Sequence, residues 1–210
     1  LQIIVAKILI DQGYVISNYY GLFGLYEIPW FLAQASTIFV FIVVVNAINF
    51  IDGIDGLAIT EAIKIILVIE YFSHGLTPIS PLGLLAIASI LPLYYFNFKR
   101  KRKVFLGDGG SLLIGTLICI YTFNLLNESF IISSQLEINK TLLAIVNLIY
   151  PLFDLLRVFI LRIAKGKSPF QPDQLHLHHL FINKFKLSTC FTVIIIIFLD
   201  LILLFLMTLN

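Results

Sequence analysis

Charge is what this sequence has least of. Charged side chains supply 12% of its 210 residues, against 60% hydrophobic ones and a mean hydropathy of +1.00. An ordinary soluble domain carries about twice that share of charge, so lipid rather than water is the expected solvent. Cysteine is almost absent as well. Cys119 and Cys190 both fall in apolar runs without a C-x-x-C pair or framework spacing, which excludes a disulfide scaffold and reads as two buried apolar side chains. A net charge of +2 is too small to draw nucleic acid. Methionine occurs once, at Met207, and the chain opens at Leu1 inside an apolar segment with no signal-peptide layout. It reads as the C-terminal part of a larger protein whose first spans lie upstream. There is no internal repeat and no soluble second domain, so residues 1–210 read as one integral membrane domain.

Apolar stretches are what the sequence has in abundance. A spanning helix needs ~20 mostly apolar residues, and candidates lie at about 1–10, 30–49, 57–73, 79–97, 110–127, 141–161 and 189–209. The fold class predicted is all-α, a polytopic transmembrane helix bundle of about seven spans with the first truncated. Glu61, Lys64 and Glu70 fall within spans and should face the bundle interior. Orientation follows from Lys and Arg, which short loops retain in the cytoplasm. Five bases lie at 99–103, and five more lie between Arg162 and Lys186. Threading the spans between them places loops 50–56, 98–109 and 162–188 inside, and loops 11–29, 74–78 and 128–140 outside. The outer set carries Asp11, Glu27, Glu128 and Glu137 against one base, Lys140. Loop 11–29 is rich in Tyr, Gly and Asn and ends at Pro29 and Trp30, as an interfacial aromatic belt would.

All the polar motifs fall on the inner side. The first runs Asn46-Ala-Ile-Asn49-Phe-Ile-Asp52-Gly-Ile-Asp55-Gly56. Its two Asn and two Asp recur every third residue, and converging carboxylate and amide oxygens suit a hard cation such as Mg²⁺, or a phosphorylated substrate held through it. The plainer reading is a polar turn with capping Asp residues. The second, Phe105-Leu-Gly-Asp108-Gly-Gly-Ser111, opens the next span, where unpaired helix N–H groups and glycines admit an anion. Asp108 or Ser111 as a simple N-cap is the alternative. The third, Asp173-Gln-Leu-His176-Leu-His178-His179, gathers three of the four histidines, able to bind phosphate oxygens or move protons. A structural zinc site would want further Cys or His at suitable spacing, and the sequence offers none. A fourth feature is Asp154 with Arg157, an i, i+3 pair expected to neutralise one another inside the membrane, with a pyrophosphate contact by Arg157 as the alternative.

Taken together, NAINFIDGIDGLA, FLGDGGS after a basic loop, and KSPFQPDQLHLHH resemble three signatures of the polyprenyl-phosphate sugar-1-phosphate transferases, in the same order and topology. The resemblance spans about residues 1–181. It implies transfer of a HexNAc-1-phosphate from a UDP-sugar to a membrane-embedded polyprenyl (undecaprenyl) phosphate for cell-surface polysaccharide or cell-wall synthesis. The lipid phosphate attacks the β-phosphorus and UMP leaves. The implied cofactor is Mg²⁺, with Mn²⁺ as the alternative. The resemblance places Asn49 and Asp108 at the metal and its diphosphate. It places Asp52 and Asp55 in the catalytic cleft beside Asp108, and His176, His178 and His179 on the sugar nucleotide. Asn46, Asp173 and Arg157 join the substrate-binding set.

The form HLHH matches the HexNAc-1-phosphate branch rather than the phospho-MurNAc-pentapeptide branch, which shows three consecutive histidines. Gln174 stands where the family commonly has Arg, which removes one phosphate contact. The family's Asp-Asp pair is absent from these 210 residues, so this stretch alone is expected to be inactive. Rival readings are a non-catalytic protein that binds lipid phosphate and a transporter. Transporters place their key groups near the midplane on interrupted helices, whereas here the motifs sit at span ends. The expected partners are the UDP-sugar, polyprenyl phosphate and membrane lipid, with a homodimer as a candidate assembly.

Overall fold

A computed structural model describes residues 1–97, 104, 106–133, 138–169 and 175–209. In chain order the elements are α1 (Gln2–Asp11), β1 (Asn18–Leu22), β2 (Leu25–Glu27), α2 (Trp30–Ile51), α3 (Leu57–Phe72) and α4 (Ser80–Asn97). These are followed by α5 (Gly107–Leu125), α6 (Lys140–Asn147), α7 (Ile149–Ala164), α8 (Leu177–Asn183) and α9 (Thr189–Thr208). Four of them, α2, α4, α5 and α9, are long and apolar enough to cross a membrane. The pair α6 and α7 makes a fifth candidate as one broken span bent by 66°. The chain is a multi-pass helical membrane protein, and large side chains such as Phe198, Phe205 and Leu206 on α9 point outward, as expected where the surroundings are lipid.

Three expectations change. The count of about seven spans is not confirmed, because α1 has 10 residues and α3 has 16, short of the ~20 a lipid-facing span needs. Helix α3 is nevertheless central, packed against α2, α4, α5 and α9 with most of its side chains buried. The stretch 141–161 is not one continuous helix. Pro151 has no N–H, and its ring excludes the carbonyl four residues back, which is that of Asn147, where α6 ends. Finally, the fold is not purely helical, because β1 and β2 pair antiparallel in the loop before α2. Phe23 (φ 53°) and Gly24 (φ 77°) between them are both left-handed, the signature of a type I′ turn.

The interior is held by close helix approach and by buried polar contacts. At Gly115 a Cβ would lie 3.0 Å from the Cα of Val45, so α2 and α5 touch backbone to backbone, as small residues permit in membranes. Glu61 and Lys64 are buried as expected. Lys64 Nζ lies 2.7 Å from Glu61 and 2.5 Å from Asp200 on α9. Glu70 accepts from the Thr77 N–H (3.1 Å), the Thr77 hydroxyl (2.6 Å) and the Tyr121 hydroxyl (3.0 Å). Cys119 is buried, but Cys190, in the first turn of α9, is exposed, contrary to its expected burial.

Candidate functional site

The C-terminal end of α2 is the centre of the site. Helix α2 continues through Asn49 to Ile51, and Asp52 follows as its C-cap. From the half-buried Asn49, Nδ2 donates to Ser111 Oγ at 3.1 Å. Ser111 itself is buried, with Oγ 3.0 Å from the Gly107 carbonyl and 3.2 Å from that of Asp108. The second motif is thereby fixed to the first. The carboxylate of Asp52 accepts from the Gly107 N–H and lies within electrostatic range of Asp108. Burial pushes Asp52 up to about 6, the neighbouring charge of Asp108 adds to the rise, and the Gly107 hydrogen bond opposes it.

Helix α5 begins at Gly107 (φ 66°), and Leu106 before it supplies no side-chain cap. The alternative, a simple N-cap by Asp108 or Ser111, is not formed. Asp108 lies exposed in the first turn, and a Cβ at the neighbouring Gly109 would meet no atom within 4 Å. Asp52 takes the Gly107 N–H, and the N–H groups that follow it in this exposed first turn are available to an anion.

The turn after Asp52 is shaped by Gly56, whose φ of 80° suits only glycine well. Its N–H donates to Asn97 Oδ1 at 3.0 Å, and Asn97 Nδ2 in turn donates to the Val104 carbonyl. Asn97 thus ties the end of α4 to the turn before α3. Asp55 is almost fully buried at 4% exposure, whereas Asp52 is half-buried. Asn46 does not join Asn49: it forms a reciprocal amide pair with Gln2 of α1 (3.0 and 3.4 Å) and donates to the Ile42 carbonyl at 2.7 Å.

The histidines approach from the other side. A Cβ on Gly53 would stand 3.2 Å from His178 Nε2, and the rings of Phe50 and His176 lie 5.9 Å apart. Those of His176 and His178 stack at 5.4 Å, and His179 lies 4.4 Å from His178. Buried Asp154 organises the group. Its Oδ2 is 2.8 Å from His176 Nδ1, and its Oδ1 accepts from the Leu177 N–H at 2.7 Å. Arg157 is 3.7 Å from Asp154 and donates to the Leu175 carbonyl at 2.7 Å. The expected Asp154–Arg157 pair therefore exists, but its larger part is to hold the start of α8. His178 is fully buried against the Tyr150 hydroxyl (Nδ1 at 3.3 Å). Burial, reinforced by His179 and His176 and opposed by Asp154, drives its pKa down to about 3, so it is neutral at physiological pH. Asp173 and Gln174 lie outside the described residues.

Ser111 as a bridge, Asn97, Tyr150 and Asp154 as the anchor of His176 are additions the motifs did not announce. Ser111 and Asp154 stood in the motifs with other roles, and Asn97, a polar residue closing an apolar span, carried a signal of its own.

The fold and the site define a class: a polytopic helical membrane protein whose acidic turn, glycine-opened helix end and histidine cluster meet at one end of the bundle. The profile of glycosyl transferase family 4 matches residues 1–125, and the chain belongs to that family. Similar curated proteins carry the name undecaprenyl-phosphate alpha-N-acetylglucosaminyl 1-phosphate transferase. The one from Haemophilus influenzae is 40% identical over 102 residues, covering 46% of this chain and 27% of the relative. That from Pasteurella multocida is 40% identical over 99 residues (45% and 26%), and that from Escherichia coli is 41% identical over 98 residues (45% and 25%). The chain thus spans about a quarter of the length of the curated relatives it matches.

Proposed function

We propose that the protein transfers a HexNAc-1-phosphate from a UDP-sugar to undecaprenyl phosphate, forming a polyprenyl-diphosphate sugar and UMP at the cytoplasmic face of the cell membrane. One observation carries this reading: three motifs spread over more than a hundred residues of sequence converge at one end of a spanning bundle, with Asp52 on Gly107 and Gly53 against His178. A soluble nucleotide and a lipid phosphate can meet only at such an edge. The relatives' name supports the same acceptor and sugar class. Exposed Lys165, Lys167, Lys184 and Lys186 at this end support its cytoplasmic location.

The donor set fits Mg²⁺ as a partner of bound phosphates. Among the described residues, no three of His, Cys, Asp or Glu converge as a complete cage. Asp52, Asp108 and the Asn49 amide oxygen would supply instead a partial set of hard donors, which is what Mg²⁺ uses when waters and substrate phosphates complete its sphere. When bound there, the ion would neutralise diphosphate charge. The open N-terminus of α5 would receive phosphate oxygens through its N–H groups. His176, with Nδ1 held by Asp154, would present Nε2 to the nucleotide, and neutral His178 would serve as a packed wall. As the phosphate of the lipid bonds to the β-phosphorus, the bond to UMP breaks, and the charge passes to the departing phosphate.

Full-length protein in detergent, given UDP-GlcNAc, undecaprenyl phosphate and Mg²⁺, is expected to release UMP. Asp108→Asn should lower that rate by roughly 10²–10³-fold, the usual scale for losing an electrostatic stabiliser. No UMP from any UDP-HexNAc would overturn the activity, and an unchanged rate in Asp108→Asn would overturn the assignment of the metal site.

A further inference from the structure

We propose that the β1–β2 hairpin is a lipid-inserted anchor, with Phe23, Leu25 and Tyr26 seated in the headgroup and upper acyl zone of the leaflet opposite the catalytic end. The depth of the hairpin is the first argument. The Ile16 N–H donates to Thr37 Oγ1 at 2.9 Å, and Thr37 lies seven residues into α2 from Trp30, about 10 Å along its axis. Farther on, Tyr19 and Leu22 wall an apolar cavity of about 240 Å³ together with Phe39 and Val43 of α2 and Ile145 and Leu148 at the α6–α7 break. The hairpin therefore stands beside the apolar flank of the bundle rather than above its rim.

Its base is fixed. The Tyr20 hydroxyl donates to the Leu126 carbonyl (2.9 Å), Asn139 Nδ2 to the Tyr20 carbonyl (2.5 Å) and the Thr141 hydroxyl to the Tyr19 carbonyl (2.9 Å). These bonds satisfy backbone groups that lipid could not. The tip, by contrast, is bare: Phe23 is 92% exposed, Tyr26 66% and Leu25 50%, continuing into Trp30 and Phe31. Between residues 12 and 33 the only charge is Glu27.

The turn itself gives a third argument. Its first central position has φ 53°, where Asn, Asp or Gly is at ease and an aromatic is an outlier. Phe23 is favoured there by something outside the turn, and an apolar solvent supplies it. A second protein copy suits the feature less well, since a stable interface buries about 800 Å² per partner from roughly 20–30 residues, and this patch of five exposed side chains is far smaller.

Trp30 is the only tryptophan, which makes the test direct. In full-length Trp30→Phe protein, Phe23→Trp places a single reporter at the tip, and Tyr26→Trp places one on the adjacent strand in case the turn rejects indole. After reconstitution into phosphatidylethanolamine and phosphatidylglycerol vesicles, emission should be blue-shifted. Most of it should be lost with lipids brominated near the top of the acyl chain, with less loss when bromine is near the chain end and little loss to aqueous iodide. Red-shifted emission quenched by iodide would put the hairpin in water and overturn the proposal. Emission shielded from both quenchers would show a protein covering the tip, and would overturn it equally.

Discussion

At the scale of single residues, Asp52 sits between two demands. The Mg²⁺ site proposed above would need its carboxylate ionised, while its half-buried position beside Asp108 disfavours that charge. An aspartate whose pKa is raised on folding binds more protons folded than unfolded between its ordinary value near 3.8 and about 6. Stability is therefore lost as pH rises through that window, and at neutral pH the ionised group is a burden. Asp52→Asn is expected to raise the midpoint of thermal unfolding at pH 7 without divalent cations, with the advantage shrinking as pH falls below about 6. Added Mg²⁺ should stabilise the natural protein and leave the variant unmoved, while UMP release by the variant falls. A variant less stable than the natural protein at pH 7 would contradict this account.

At the scale of elements, the contact between α2 and α5 sets the register of the site. One turn separates Gly115 from Ser111, as one turn separates Val45 from Asn49, so the tight crossing fixes the Asn49–Ser111 bond. Gly115→Val should cost roughly 1–3 kcal/mol, the usual scale of overpacking, and reduce UMP release by the full-length protein far more than its folded fraction. Comparable loss of both would mean that the crossing serves stability alone. The long apolar elements α2, α4, α5 and α9 were legible because mostly apolar stretches of 18 to 22 residues admit few other structures. The α6–α7 break was less so, because apolar content continues across it, and Pro151 reveals it only when its clash with the Asn147 carbonyl is considered. The hairpin hid behind Phe23-Gly24, which lacks the Asn-Gly or Asp-Gly form of its turn. Within the site, regular spacing announced Asn49, Asp52 and Asp55, but nothing in the spacing announces Asp154 with His176, 22 residues apart. Asn46 fits the same repeat and still turns to Gln2, because periodicity fixes a direction and not a partner.

Across the whole molecule, one buried charged triad ties early and late spans together. Lys64 lies between Glu61 and Asp200, 136 residues away on α9. Removing the cation alone by Lys64→Met should destabilise the protein by about 3–5 kcal/mol, since two carboxyl groups are left buried without it. Combining it with Glu61→Gln and Asp200→Asn should recover most of that loss. Thermal unfolding in detergent reads both, and a single variant as stable as the natural protein would show that the triad is not a structural tie. A different tie couples a helix to the histidines. Asp154 and Arg157 of α7 grip the chain at Leu175, His176 and Leu177, so the start of α8 rides on α7, and whatever displaces that helix carries His176 along with it.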